Sequence, residues 1–171
     1  WLHRYPHHTI VDLRGNVNSR LRKIKENDWQ GAIFAKAGLE RIDVLPDDYV
    51  VLDWMIPAPA QGAMVVHALE NDTFSKEAIA SLNHRNSEIC TYVERDFLRI
   101  LEGGCTAPIG AIATINYETI NLKGVLFSTD GLTRLAIEKS VSLVNYKGLG
   151  KSCALEILKD GGKELMQEIR N

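Results

Sequence analysis

The chain has 171 residues, 45% of them apolar, with 20 basic and 22 acidic side chains for a net charge of −2. That is enough for one domain or two small ones, and the near-neutral balance excludes a global field for nucleic acid or an anionic membrane. Three unevenly spaced cysteines without a Cys-x-x-Cys pair argue for a reducing compartment, and no apolar run approaches the ~18–20 residues of a membrane span, so a soluble, cytoplasmic protein is expected.

The chain opens at Trp1 rather than methionine, on charges and histidines rather than a signal-peptide core, and a fragment is expected. The first third alternates short apolar runs with helical spacing, which predicts βαβ construction and a mostly parallel sheet. A strand is expected at Thr9–Leu13, turning at Arg14-Gly15-Asn16. A helix capped by Asn18 or Ser19 follows, with Leu21 and Ile24 on one face. Gly31–Ala35 reads as a buried strand and Ala37–Ile42 as a short helix. The prolines at 57 and 59 predict an extended linker over Pro57–Ala60, after which Gly62–Ala68 reads as another strand. Asn71-Asp72-Thr73 can cap a helix bearing Ala78, Ile79 and Leu82.

From Asn86 or Ser87 a longer helix places Ile89, Val93, Phe97 and Leu101 at i, i+4 spacing, and Gly103-Gly104 supplies a left-handed stop. Three strands then read at 109–115, 120–127 and 133–144, with turns at Asn116-Tyr117 and Asp130-Gly131. A terminal helix from about Ser152 to Ile169, open to interruption at Gly161-Gly162, closes a small α+β unit that starts near Asn83. Gly148-Leu149-Gly150-Lys151-Ser152 ends like a phosphate-binding loop but lacks its first glycine, because Asn145 stands there, and it is read as a loop capping the last helix.

Cys105 is the chemically available thiol. It sits on a glycine-bounded loop, whereas Cys90 and Cys153 fall within helical apolar patterns, where a thiol is a small hydrophobe. No histidine stands within a few residues to activate Cys105, and a helix C-terminus disfavours a thiolate. The residue suits capture of a very reactive electrophile, or tethering of a group once attached. Arg14 lies at the carboxyl end of an expected strand, where open α/β sheets bind ligands. Arg20 lies in a first helical turn, where a cation opposes the macrodipole unless an anion sits nearby. Both suit a carboxylate or phosphate. Arg22, Lys23 and Lys25 read as a solvated face, with Arg22 pairing to Glu26. Arg41 is a favourable C-terminal cation, and Gln61 a loop or hinge amide able to face a ligand. These residues leave open a non-catalytic anion-binding module with an idle cysteine, and a thiol-dependent enzyme of another kind.

Taken together, Leu13-Arg14-Gly15-Asn16-Val17-Asn18-Ser19-Arg20-Leu21, Ala37-Gly38-Leu39-Glu40-Arg41, Pro57 through Gln61-Gly62-Ala63, and Leu101-Glu102-Gly103-Gly104-Cys105-Thr106-Ala107-Pro108-Ile109-Gly110 resemble the porphobilinogen deaminase, or hydroxymethylbilane synthase, family in order and spacing. The resemblance implies a transferase of tetrapyrrole and haem biosynthesis that condenses four porphobilinogen molecules into hydroxymethylbilane, releasing ammonia at each step. It implies a dipyrromethane cofactor attached through Cys105, with Arg14, Gly15 and Arg20 binding that cofactor. Arg14, Arg20, Arg41 and Gln61 would bind the acetate and propionate groups of the substrate and growing polypyrrole chain.

The implied architecture is α/β plus α+β. Residues 1–56 would be the latter part of a periplasmic-binding-protein-like domain 2, 57–82 a hinge and a segment returning to domain 1, and 83–171 a three-stranded antiparallel domain 3 carrying the cofactor. The family's catalytic aspartate is expected upstream, so no catalytic residue falls in this chain and the fragment alone should be inactive. No nucleic-acid or membrane partner is implied, and the full-length protein would be a monomer. Two places depart from the family pattern: Val66-His67-Ala68-Leu69 replaces an acidic-Cys-Arg-like ending, and Lys36 stands where a small apolar residue is common.

Overall fold

The computed structural model describes residues 1–101 and 107–170. Contacts divide the chain into a unit of residues 1–6 with 53–171 and a unit of residues 7–52. In the larger unit, α3 (Thr73–Ala80) starts at Asp72, whose side chain accepts from the Ser75 N–H, as the Asn-Asp-Thr run predicts. The longer helix α4 (Arg85–Ile100) begins one or two residues before the expected start, with His84 rather than Asn86 or Ser87 as its cap. Its stripe of Ile89, Val93, Phe97 and Leu101 is buried, as the i, i+4 spacing predicts.

The three expected strands form at Ile109–Asn116 (β1), Thr119–Phe127 (β2) and Arg134–Ser142 (β3), an antiparallel sheet of order β1-β2-β3. Asn116 pairs with Thr119 across the first hairpin, and Tyr117 takes the left-handed conformation there. The second hairpin turns through 128–133, where the Asp130 carboxylate accepts from the Leu132 N–H and the Ser128 hydroxyl from the Thr133 N–H. The predicted terminal helix is two helices, α5 (Leu149–Ile157) and α6 (Lys163–Arg170). They are joined by a widened turn in which Asp160 and Gly161 leave helical geometry, so the expected interruption is present.

Alternation along the sheet sends Ala111, Ala113, Ile120, Leu122 and Leu126 to one face, against α4, α5 and α6. Phe97 and Val93 lie at the centre, both fully buried. The two helices α4 and α5 meet at Gly150, where a β-carbon would overlap the Val93 carbonyl oxygen. Truncating Phe97 to alanine there costs about 3–5 kcal/mol. The Asp96 carboxylate, 6% exposed, accepts from the Lys151 N–H at 2.8 Å and so occupies the α5 N-terminus from within. The Gly-Leu-Gly-Lys-Ser run is therefore a capped helix start.

The linker reading is corrected in part. The chain turns over 59–62 rather than staying extended through Ala60, with Ala60 at φ 60° and Gly62 at φ 84°. Before that turn, the Pro57 carbonyl accepts from the Ala111 N–H at 2.9 Å, adding one rung to the open edge of β1.

The smaller unit has α1 (Val17–Glu26) and α2 (Lys36–Glu40). The cap of α1 is Asn16, two residues earlier than expected, and its side chain accepts from the Ser19 N–H at 2.8 Å. Strands expected at Thr9–Leu13, Gly31–Ala35 and Gly62–Ala68 are absent: among the described residues the one sheet is β1-β2-β3. The reason is physical. An apolar run becomes a strand only when a neighbour takes its N–H and C=O groups, and these runs leave Ile10, Ile33 and Val65 more than half exposed. The described residues form mixed helix and antiparallel sheet, not the expected parallel arrangement. Among the described residues no helix is long and apolar enough to cross a membrane.

Candidate functional site

Arg14, Gly15 and Arg20 come together around the start of α1. Gly15 takes φ 119°, which side-chain-bearing residues rarely adopt, and this turns its carbonyl back toward the helix. Arg20 Nε donates to that carbonyl at 2.7 Å, and Lys23 Nζ donates to the Arg14 carbonyl at 3.0 Å. The Arg14 guanidinium is 86% exposed and pairs with Asp12, Nη2 to Oδ2 at 3.1 Å. The result is a basic collar of two guanidiniums and an ammonium on one turn of chain. Arg22 pairs with Glu26 at 3.6 Å, as the i, i+4 reading has it.

The sequence places Lys23 on a solvated face with Arg22 and Lys25, and the structure adds its hydrogen bond to the Arg14 carbonyl. The available signal was spacing, because Arg20 and Lys23 are three apart and share a helix face. Arg41 caps the C-terminus of α2, its N–H donating to the Ala37 carbonyl at 3.1 Å. Lys36, at the start of the same helix, reaches Glu40 at 3.4 Å and lies 5.0 Å from the centre of the Tyr49 ring. Hydrogen bonds to Tyr49 and Glu40 hold its ammonium above the usual lysine range. The lysine that breaks the expected small apolar pattern is thus accommodated locally.

Gln61 belongs to the larger unit, in the 59–62 turn. Its N–H donates to the Ala58 carbonyl at 3.1 Å, and its Oε1 accepts from the Ala58 N–H at 3.3 Å. Next to it, Ala60 donates to Glu94 Oε2 at 2.7 Å, while Ala113 donates to Oε1 of the same carboxylate at 2.8 Å. Burial raises the Glu94 carboxyl above the ordinary glutamate value, and the two N–H donors partly oppose that. Sequence reading missed Glu94. A glutamate beside a buried stripe looks like a flank residue, and the one hint is its i, i+4 placement with Cys90.

Cys105 lies outside the described residues, as does the Gly103-Gly104 stop. Among the described residues on either side, Leu101 is 1% exposed and its carbonyl accepts from Arg170 Nη2 at 3.4 Å, while the Pro108 carbonyl accepts from the Phe127 N–H at 3.0 Å. Burial pushes the Cys153 thiol up to about 11, and it also raises Cys90. Neither suits nucleophilic chemistry at neutral pH.

Two family models match the chain and together take in most of it. The model for "Porphobilinogen deaminase, dipyromethane cofactor binding domain" matches residues 1–77, and that for "Porphobilinogen deaminase, C-terminal domain" matches residues 88–159. Among curated proteins, the porphobilinogen deaminase of Campylobacter hominis is 37% identical over 162 residues, which is 92% of this chain and 52% of that relative. The porphobilinogen deaminase of Thermus thermophilus is 35% identical over 168 residues, 96% of this chain and 56% of the relative. The chain thus spans about half the length of the curated relatives it matches. With both family models in the order of the Arg-Gly-Asn and Gly-Gly-Cys segments, the chain belongs to the porphobilinogen deaminase family.

Proposed function

We propose that this chain is the latter part of a hydroxymethylbilane synthase, which joins four porphobilinogen molecules head to tail and releases one ammonia per condensation. The observation that carries the reading is the basic collar at the start of α1, where Arg14, Gly15, Arg20 and Lys23 converge in a chain of this family. Each porphobilinogen unit bears two carboxylates, so a growing product accumulates negative charge that a protein of net charge −2 can meet only locally. Guanidinium forks supply bidentate donors for those carboxylates, and a site without a β-carbon at Gly15 lets a pyrrole approach the backbone.

On this reading a dipyrromethane is held through a thioether at Cys105, and when bound that group supplies the pyrrole terminus to which each new unit is joined. The residues of this chain hold and orient. Arg14 and Arg20 grip carboxylates, Lys23 keeps the loop closed under them, and Arg41 adds a third guanidinium. Gln61 presents an amide at the junction. Cys105 needs no activated thiolate, because loss of ammonia from porphobilinogen leaves an electrophilic methylene-pyrrole. The proton that closes each condensation is handled by the family's aspartate in the first domain, so the segment alone is inactive.

On the same reading, residues 1–56 belong to a second, periplasmic-binding-protein-like domain, 57–82 cross a hinge and return to the first, and 83–171 form the cofactor-bearing third. The full-length protein is a cytoplasmic monomer with no nucleic-acid or membrane partner. In the full-length gene product, Arg14→Ala and Arg20→Ala should each lower kcat/KM for porphobilinogen at least tenfold, the value of one charged hydrogen bond. Unchanged turnover in both variants would remove the carboxylate-gripping role.

A further inference from the structure

Glu94 is a carboxylate only 7% exposed, on a helix that buries one other charged side chain, Asp96, among its apolar stripe. Both of its oxygens are taken by backbone donors from segments remote in sequence: Ala60 in the 59–62 turn at 2.7 Å and Ala113 in β1 at 2.8 Å. The same edge of β1 receives the Pro57 carbonyl at the Ala111 N–H. The connecting peptide is therefore held on the sheet edge at Pro57 and again, through Glu94, at Ala60. Between and beyond these points the chain is tight. Ala60 adopts φ 60°, unfavourable for any residue with a β-carbon, and Gln61 closes onto both backbone groups of Ala58. A strained alanine persists when surrounding bonds over-determine it.

We propose that Glu94 is a positioning residue: it clamps the Ala60 peptide to β1 and thereby fixes the orientation of Gln61 toward substrate. The role of Gln61 rests on the proposed enzyme; the clamp itself does not. The chemistry calls for a carboxylate. Two N–H groups point at Glu94, and an amide offers one acceptor and turns an NH2 against the other donor. Aspartate is one methylene shorter and reaches at most one of the two. Burial and this carboxylate raise the neighbouring Cys90 thiol, so it adds no second negative charge beside Glu94.

The test uses the full-length gene product carrying Glu94→Gln, with Glu94→Asp as the second variant should the first fold poorly. Amide exchange should quicken at Ala60 by about tenfold or more, the effect of losing a hydrogen bond to a charged acceptor, while core amides such as Phe97 keep their protection. Unchanged exchange at both Ala60 and Ala113 in either variant overturns the clamp. For the link to Gln61, KM for porphobilinogen should rise in Glu94→Gln, and Gln61→Ala added to it should cause less than about twofold further change, as coupled residues do. Multiplying effects in an active enzyme would overturn that link. Faster Ala60 exchange in a protein that never turns over porphobilinogen would uphold the clamp and reject the enzyme reading.

Discussion

Arg20 Nε sits 2.7 Å from the Gly15 carbonyl oxygen, so the guanidinium folds back over the first turn of its own helix. A cation there opposes the helix macrodipole by about 0.3–1 kcal/mol, and the hydrogen bond to Gly15 returns a similar amount. From position alone, Arg20→Ala should stabilise the ligand-free protein. With the Gly15 contact included, the expected change is within about 0.5 kcal/mol, read from urea unfolding. A loss above about 2 kcal/mol would show that Arg20 is a structural residue rather than one kept for a ligand.

Gly15→Ala should fray the helix start. At φ 119° an alanine is strained, and its β-carbon would stand 3.1 Å from Ser19 Cβ, the residue whose N–H is capped by Asn16. A cost of about 1–2 kcal/mol is expected. Helix α1 buries no residue, so global unfolding is a poor probe and amide exchange at Ser19 is the better one. Unchanged exchange there would contradict the collar geometry.

Alanine at Gly150 and at Gly38 should behave oppositely. The first would drive a β-carbon into the Val93 carbonyl and the backbone of Phe97 where α4 and α5 cross, lowering stability by about 1–3 kcal/mol. The second has open space within α2, where alanine favours helix by up to about 1 kcal/mol. Urea midpoints of the two variants decide the matter, and equal effects would mean that the packing at Gly150 is misassigned.

Thiol labelling should discriminate among the cysteines. Burial raises Cys153 to about 11 and also lifts Cys90, so at pH 8 both remain protonated and slow to alkylate. Reactivity of Cys153 should increase only as pH approaches its raised value. In protein lacking any attached pyrrole, peptide mapping after brief iodoacetamide treatment should place the adduct on Cys105. Rapid labelling of Cys153 in the folded state would contradict its burial.

The stretch from α4 to β3 was legible because its signals are local. The stripe Ile89, Val93, Phe97 and Leu101 can bury only as a helix, and Asp130-Gly131 specifies a turn by its own chemistry. The runs 9–13, 31–35 and 62–68 read as strands because their side chains suit a sheet, but hydrogen-bonding neighbours make a strand, and no pattern within a run reveals whether they are present. The same distinction governs the site. Arg20 stands out in sequence because a cation in a first helical turn opposes the macrodipole, whereas Arg14 stands out only as the end of an expected strand that does not form. Lys23 and Glu94 conflict with nothing nearby, and their roles lie in contacts to Arg14, Ala60 and Ala113 that only the fold creates.

The central claim is that Cys105 tethers a two-pyrrole primer, and intact-mass spectrometry of the full-length gene product tests it most directly. The mass should exceed that of the bare polypeptide by one dipyrromethane, and Cys105→Ser should abolish that increment together with porphobilinogen turnover. An increment that survives Cys105→Ser, or turnover by a protein whose Cys105 carries no adduct, would contradict the account.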